Sequence, residues 1–245
     1  MKLAILIAVV LVATLWRTPA VVVDLAARRL TGGEVRLVAT EGTIWHGRGM
    51  VQVVDRSSQR WQPWRDLDWS FEPTALLRGR VGWRLVSGHA DVARVEIAAS
   101  GWRVAHVRIG GPARYFWQRL PHDIGKFGWS GDLAFDSPAM DCSWRGRCDG
   151  HLEVRWLNAG SDFVPDRVFG DYLLEADGSG GTFKLSCRTL AGTIRIEGNG
   201  EIPAAGKISL RATISGDPAL LQRLTAIAGP WAKPAGTPGA WNITY

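Results

Sequence analysis

Glycine-broken, apolar-alternating segments run through most of this chain, and they constrain its fold more than any other feature. The stretch that sets the texture is Glu41-Gly42-Thr43-Ile44-Trp45-His46-Gly47-Arg48-Gly49, with Val51 and Val53 beyond it at alternate positions. Glycine within a β-rich, aromatic run marks a bulge or a close backbone approach. Leu67, Trp69 and Phe71 alternate with Asp68, Ser70 and Glu72, the pattern of a half-buried strand ended by Pro73. The same reading gives strands over 34–39, 43–53, 80–86, 89–98, 102–109, 126–136, 140–144, 148–157, 171–176, 182–188, 193–197 and 208–214. Glu41-Gly42, Gly178–Gly181 and Gly198–Gly200 fall at the turns, and 55–66 and 158–170 are irregular. No regular β-α alternation is present, which argues against a doubly wound parallel sheet.

Three helical segments interrupt the strands. Pro19–Leu30 carries a stripe of Val22, Leu25, Ala26 and Leu30, and Gly32-Gly33 stops it. Gly111–Pro121 is a short helix bounded by prolines. Asp217-Pro218 starts a third helix through Ala228, with Leu220, Leu221, Leu224 and Ile227 on its apolar face and Gly229-Pro230 at its stop. Asn242–Tyr245 ends the chain as an edge strand.

The N-terminus adds a membrane signal. Leu3–Trp16 is an unbroken apolar run, and counting through Val23 reaches the ~20 residues a spanning helix needs, with Arg17 snorkelling to the headgroups. A cleaved signal peptide and an uncleaved anchor are the two readings. The absence of a small-x-small cleavage site favours the anchor. Both send the rest of the chain across the membrane. The expected fold class is therefore mainly β: an N-terminal transmembrane helix, then a Trp/Gly-rich antiparallel, twisted sheet or a partly open β-groove or barrel with a few short helices. Residues 1–30 form the anchor and short helix and 31–245 the β-rich domain, in which an internal division near 110–125 is open.

Charge adds little. The net charge is +6, and five of the 29 basic residues are lysine, the rest arginine. They are scattered, whereas a nucleic-acid binder clusters them on one element, so no nucleic-acid partner is expected. A solvated basic surface and attraction to an anionic membrane both fit. The 13 tryptophans suit half-covered strands, and they equally suit a groove for acyl chains.

A search for chemistry finds none assembled. His46, His89, His106, His122 and His151 lack a partner ligand at i+4 on a helix, and Gly178–Lys184 lacks the phosphate-loop spacing. No catalytic, cofactor-binding or metal residue is nominated, and no cofactor is expected. Carboxylates paired from separate strands stay open. Cys142 and Cys148 flank Ser-Trp-Arg-Gly-Arg on the two arms of a hairpin, a spacing that suits a disulfide in an oxidising compartment, with Cys187 free. Three reduced core thiols are the other outcome.

Two motifs resemble a known family. Glu41-Gly42-Thr43-x-Trp45-x-Gly47 comes after the N-terminal segment, and Trp69-x-Phe71-x-Pro73-x-x-Leu76-Leu77-x-Gly79 comes about a strand later. Together they resemble type II secretion system protein N, also called general secretion pathway protein N. The resemblance implies a single-pass inner-membrane protein of Gram-negative bacteria with its C-terminal domain in the periplasm. It also implies an accessory, non-enzymatic role in exporting folded proteins across the outer membrane. Its partners would be the inner membrane and other secretion proteins, on the inner-membrane platform or the secretin side, and open sheet edges could take a partner by strand addition. Large envelope proteins of the AsmA type carry similar patterns, so an AsmA-like lipid-handling module is the alternative.

Overall fold

The computed structural model describes residues 2, 6, 10, 13–55, 58–117, 128–162, 164–204, 208–221, 232–235 and 240–244. These fall into two compact units, Met1–Ala99 and Ser100–Tyr245. The boundary lies in the turn at Ser100. Residues 118–125, within the span where the sequence leaves a division open, lie outside the described set. The fold is mainly β and antiparallel, with few short helices.

Unit 1 is a meander of five strands, β1 (Val35–Gly42), β2 (His46–Asp55), β3 (Arg60–Glu72), β4 (Val81–Ser87) and β5 (Ala90–Ala98), each beside the next in the chain. Helix α1 (Val21–Leu30) covers one face, where Ala20, Leu37, Val51 and Trp69 are buried with Val23, Ala27, Trp64 and Trp83 against them. The period of two explains the choice of face: Leu37, Val51 and Trp69 are the inward members of their alternations. α1 also caps the edge strand. The outward N–H groups of Val35 and Leu37 donate to Thr31 Oγ1 (3.1 Å) and Asp24 Oδ1 (2.7 Å), so this stretch of edge does not offer them to another strand.

Unit 2 continues with β6 (Gly101–Pro112), β7 (Trp129–Ser143), β8 (Cys148–Ser161), β9 (Val164–Ser179), β10 (Thr182–Gly192), β11 (Arg195–Ile202) and β12 (Ser209–Ser215). Two short strands, β13 (Ala232–Pro234) and β14 (Ala240–Thr244), complete it. The order is sequential to β12, then β14, then β13. Its core gathers Phe169, Tyr172, Ile194, Leu220 and Leu221, with Trp129, Trp156 and Trp241 against them. Within each unit, the first and last described strands do not pair, so the meander is open and a closed barrel is not formed.

Several expectations are corrected. Glu41-Gly42 is not the first turn: both residues pair with β2, and the reversal is Thr43–Trp45. Arg60–Asp66 is strand rather than loop, and Pro63 is tolerated because β4 pairs only with Asp68–Glu72, leaving the Pro63 side of β3 without a ladder to break. β7 runs unbroken through Ser137–Ala139, absorbing Pro138 at a register shift, and most of 158–170 is strand bent by three successive shifts. Gly198 and Gly200 are not a turn. They lie inside β11 opposite Ala212 and Leu210, where an added Cβ would sit 2.7 Å from the Ala212 Cβ and 2.5 Å from Leu210 Cδ2. There the glycines admit a crowded neighbour, a role the sequence pattern does not distinguish from a turn. β14 lies between β12 and β13, so the C-terminal strand is not the edge.

The helices differ too. α1 begins at Val21, and Pro19 instead makes an isolated bridge to Thr43. The expected apolar stripe is turned outward: Val22, Leu25 and Leu30 are exposed, and the buried face is Ala20, Val23, Asp24 and Ala27. Asp24 accepting the Leu37 N–H fixes that rotation. β6 runs through Pro112, and among the described residues helix α2 covers Arg114–Trp117; the rest of the expected segment, 118–121, lies outside them. Only the start of the last helix is described. There Ala219 N donates to Asp217 Oδ1 (2.9 Å) and Leu220 and Leu221 are buried; its remainder lies outside the described residues. Most of the apolar N-terminal run is also outside them. Among the described residues no helix is long and apolar enough to cross a membrane.

Candidate functional site

The residues of both sequence motifs converge at one end of unit 1, where β1 and β3 finish and β2 and β4 begin. The Thr43–Trp45 reversal leaves three consecutive carbonyls that a surface turn would give to water. Here each has a protein donor. Trp69 Nε1 donates to Thr43 O (2.9 Å), Trp83 Nε1 to Ile44 O (2.9 Å), and the Phe71 backbone N–H to Trp45 O (2.7 Å). Thr43 Oγ1 accepts from Trp45 N (3.2 Å) and His46 N (3.3 Å), the local bonding that favours threonine in a tight turn.

The N-terminal segment is joined to this reversal on its other side. Trp45 Nε1 donates to Leu15 O (3.0 Å), Ile44 N to Thr18 O (3.0 Å), and Ala20 N to Gly42 O (3.1 Å). The Trp45 ring stacks on Trp16 (centroids 5.7 Å) and Trp83 (6.1 Å) and meets Phe71 edge-on (5.1 Å). Aromatic pairs in these offset and edge geometries add about 0.5–1.5 kcal/mol each beyond area burial. Trp45 is therefore a clasp between the incoming chain and the sheet.

The smaller motif residues make this geometry possible. Gly42 has φ +88°, and a Cβ there would run into the His46 carbonyl. A Cβ at Gly47 would lie 2.5 Å from the Trp69 indole, so glycine lets that ring lie flat on the strand. Glu41 accepts two bonds from Arg48 across the β1–β2 pair (2.6 and 3.0 Å), which raises the Arg48 pKa. Pro73 opens a short 3-10 helix (Pro73–Arg78), and Gly79 in the left-handed region closes it. Leu76 and Leu77 on that turn point to solvent.

The other residues singled out by sequence lie mostly in unit 2. Cys142 and Cys148 sit opposite each other in the β7–β8 ladder with Cα atoms 4.1 Å apart, and their sulfurs are bonded. Cys187 is a free thiol in β10 whose pKa burial pushes up. His151, Glu153 and Glu175 from β8 and β9 come within ligand distance of one another, a cross-strand cluster that a search for helical ligand spacing misses. Its members are already engaged: His151 Nδ1 with Asp177 (2.7 Å), Glu153 with Arg155 (2.6 Å) and Glu175 with Ser186 Oγ (3.4 Å). A groove of about 290 Å³ on β6–β8 has walls bearing the Arg108–Asp136 and Arg155–Glu153 pairs beside Ile109, Ala134 and Phe135. His106 is exposed in β6, and His122 lies outside the described residues. His46, the first residue of β2, and His89, in the β4–β5 turn, are exposed, and neither meets an acid–base partner among the described contacts.

Sequence reading misses Trp16 and Trp83 as members of the clasp. Trp16 ends the apolar run and Trp83 sits in a strand with the same Gly-Trp texture, but their pairing depends on register. The arrangement defines a class: an antiparallel β-meander protein whose N-terminal apolar segment is fastened to the sheet by tryptophans at a conformationally demanding turn. The chain belongs to the type II secretion system protein N family, whose family model matches residues 33–236. The family is a component of the type II secretion system, associated with the cell envelope and acting with other components of that system. No curated protein and no solved structure matched the chain.

Proposed function

We propose that this protein is an accessory, non-catalytic component of the type II secretion system, held in the inner membrane by one N-terminal helix with both β units in the periplasm. In that position it supports export of folded proteins across the outer membrane. The observation that carries the reading is the Trp45 clasp. An apolar segment that served only as a tether needs no fixed geometry to the β units. This one is fixed by three hydrogen bonds and a ring stack, which sets the sheet of unit 1 at a defined attitude to the segment that precedes it. The Cys142–Cys148 bond suits an oxidising compartment such as the periplasm.

Partner contact belongs to the same reading. In cells making the tagged full chain, mild crosslinking should recover inner-membrane platform or secretin-side components. Their absence from the crosslinked material, with the chain itself recovered from the membrane fraction, would contradict a role within the machine.

A further inference from the structure

The family motif contains one feature that the clasp does not use. Leu76 and Leu77 are adjacent, and their exposures are 53% and 89%. The turn that carries them is rigidly built. Ala75 is fully buried, packed where a Cβ on Gly82 would be 2.8 Å away, and Gly79 N donates to Leu76 O (2.9 Å) and Arg80 N to Ala75 O (3.1 Å). Arg78 and Arg80 both reach Glu96 (2.6 and 3.6 Å) and tie the turn to β5. A proline, a left-handed glycine and two ion pairs thus hold two leucines outward. Two adjacent leucines held outward make a small apolar patch rather than a singly scattered apolar residue.

The position of the turn says what they face. It joins β3 to β4 just beyond the cross-strand pair Phe71 and Trp83, the rings on which Trp45 rests, and Trp45 in turn holds Leu15 and Trp16 of the N-terminal apolar segment. The leucines therefore lie at the end of the sheet from which that segment departs. Tryptophan beside apolar side chains is the composition of a membrane interface. The charges agree: Glu41, Glu72 and Glu96 at this end are each bound by arginine (Arg48; Arg84 and Arg94; Arg78 and Arg80), and exposed Arg17 directly precedes Thr18, whose carbonyl accepts from Ile44 N. Arginines outnumber the carboxylates here even with Asp68, which faces Arg48 across the β2–β3 pair, counted among them, and this suits anionic headgroups.

We infer that Leu76 and Leu77 are a second membrane contact: the turn dips into the outer leaflet of the bilayer that holds the N-terminal segment, so that unit 1 stands on the membrane with its strand ends down. The inference rests on the proposed anchor, and the experiment separates the two. The full chain, with Cys187→Ala and its disulfide intact, is labelled with an environment-sensitive fluorophore at L77C, at L6C, or at H89C. His89 lies in the β4–β5 turn, at the opposite end of a seven-residue strand and about 20 Å away. Each variant is reconstituted in vesicles of phosphatidylethanolamine and phosphatidylglycerol containing lipids spin-labelled near the top of the acyl chain.

Quenching at position 77 several-fold above that at 89 is the expected result. Equal quenching at 77 and 89 overturns the contact. If position 6 is quenched when 77 is not, the anchor stands and the turn contact falls. If 77 is quenched and 6 is not, the contact stands and the anchor falls.

Discussion

The Trp45 side chain joins the N-terminal segment to the sheet of unit 1. Its indole N–H donates to Leu15 O and its ring meets those of Trp16, Phe71 and Trp83, and no smaller side chain does all of this. Trp45→Ala is expected to lower stability by about 2–3 kcal/mol, because truncating a large, partly buried ring also leaves the Leu15 carbonyl without its donor. Trp45→Phe keeps part of the ring contact, loses the donor and the second ring of the indole, and should cost about 1 kcal/mol. The denaturant midpoints of the two variants check the order, and equal midpoints would mean that the aromatic ring contributes nothing beyond the N–H bond. In unit 2, burial raises the pKa of Cys187 above its ordinary 9.0, and the buried Tyr172, whose hydroxyl donates to Ile194 O (3.0 Å), is raised further above 10.0 by burial and then by the charges of Cys187 and Asp171. Groups raised in the folded state keep their protons when the unfolded chain has lost them. Their contribution is therefore complete below about pH 9 and declines as pH rises past it. Midpoints measured from about pH 8 to about pH 11 should fall, and the fall should be shallower for Cys187→Ala with Tyr172→Phe.

Among the elements, the β7–β8 hairpin joins two constraints. Gly146, with φ +79°, makes its tight turn, and the Cys142–Cys148 bond closes the arms just behind it. The residues are six apart, so the bond closes a small loop and contributes on the order of 2 kcal/mol by restricting the unfolded chain. Cys142→Ser with Cys148→Ser should lose about that much in a denaturant titration; no loss would mean the bond restrains nothing the hairpin does not already restrain. This hairpin is legible in the sequence because its signals are local: alternation, a glycine turn, facing cysteines. The elements that are not legible share a different cause. Pro63 and Pro138 look like strand breaks until the neighbouring strand is known to be absent or shifted, and Gly198 and Gly200 look like a turn until Ala212 and Leu210 are placed opposite them. The outward stripe of α1 is hidden for the same reason. Its apolar count favours Val22, Leu25 and Leu30 inward, but the buried hydrogen bond from Leu37 to Asp24 decides the rotation, and that bond spans thirteen residues.

For the whole molecule, the class is legible in the sequence and the site only half so. Alternation without interposed helices excludes parallel α/β folds and leaves an antiparallel β protein, and the motif residues Glu41 to Gly79 mark the right end of unit 1. What the motif does not disclose is that Trp16 and Trp83 complete it, since rings from three separate segments meet only after the register is set. At that end of the sheet a secretion component is fixed at a defined attitude to its N-terminal segment, and export is expected to need that fixture. The most direct test is to delete the chromosomal copy and restore either the native chain or Trp45→Ala at matched membrane levels. An enzyme exported by the type II pathway is then assayed in medium and periplasm, with outer-membrane permeability measured in the same cells. The deletion and Trp45→Ala strains should accumulate the enzyme in the periplasm behind an intact barrier, while the native chain restores export. Normal export with a leaky outer membrane in the deletion strain would contradict this, and would place the protein in envelope lipid handling instead.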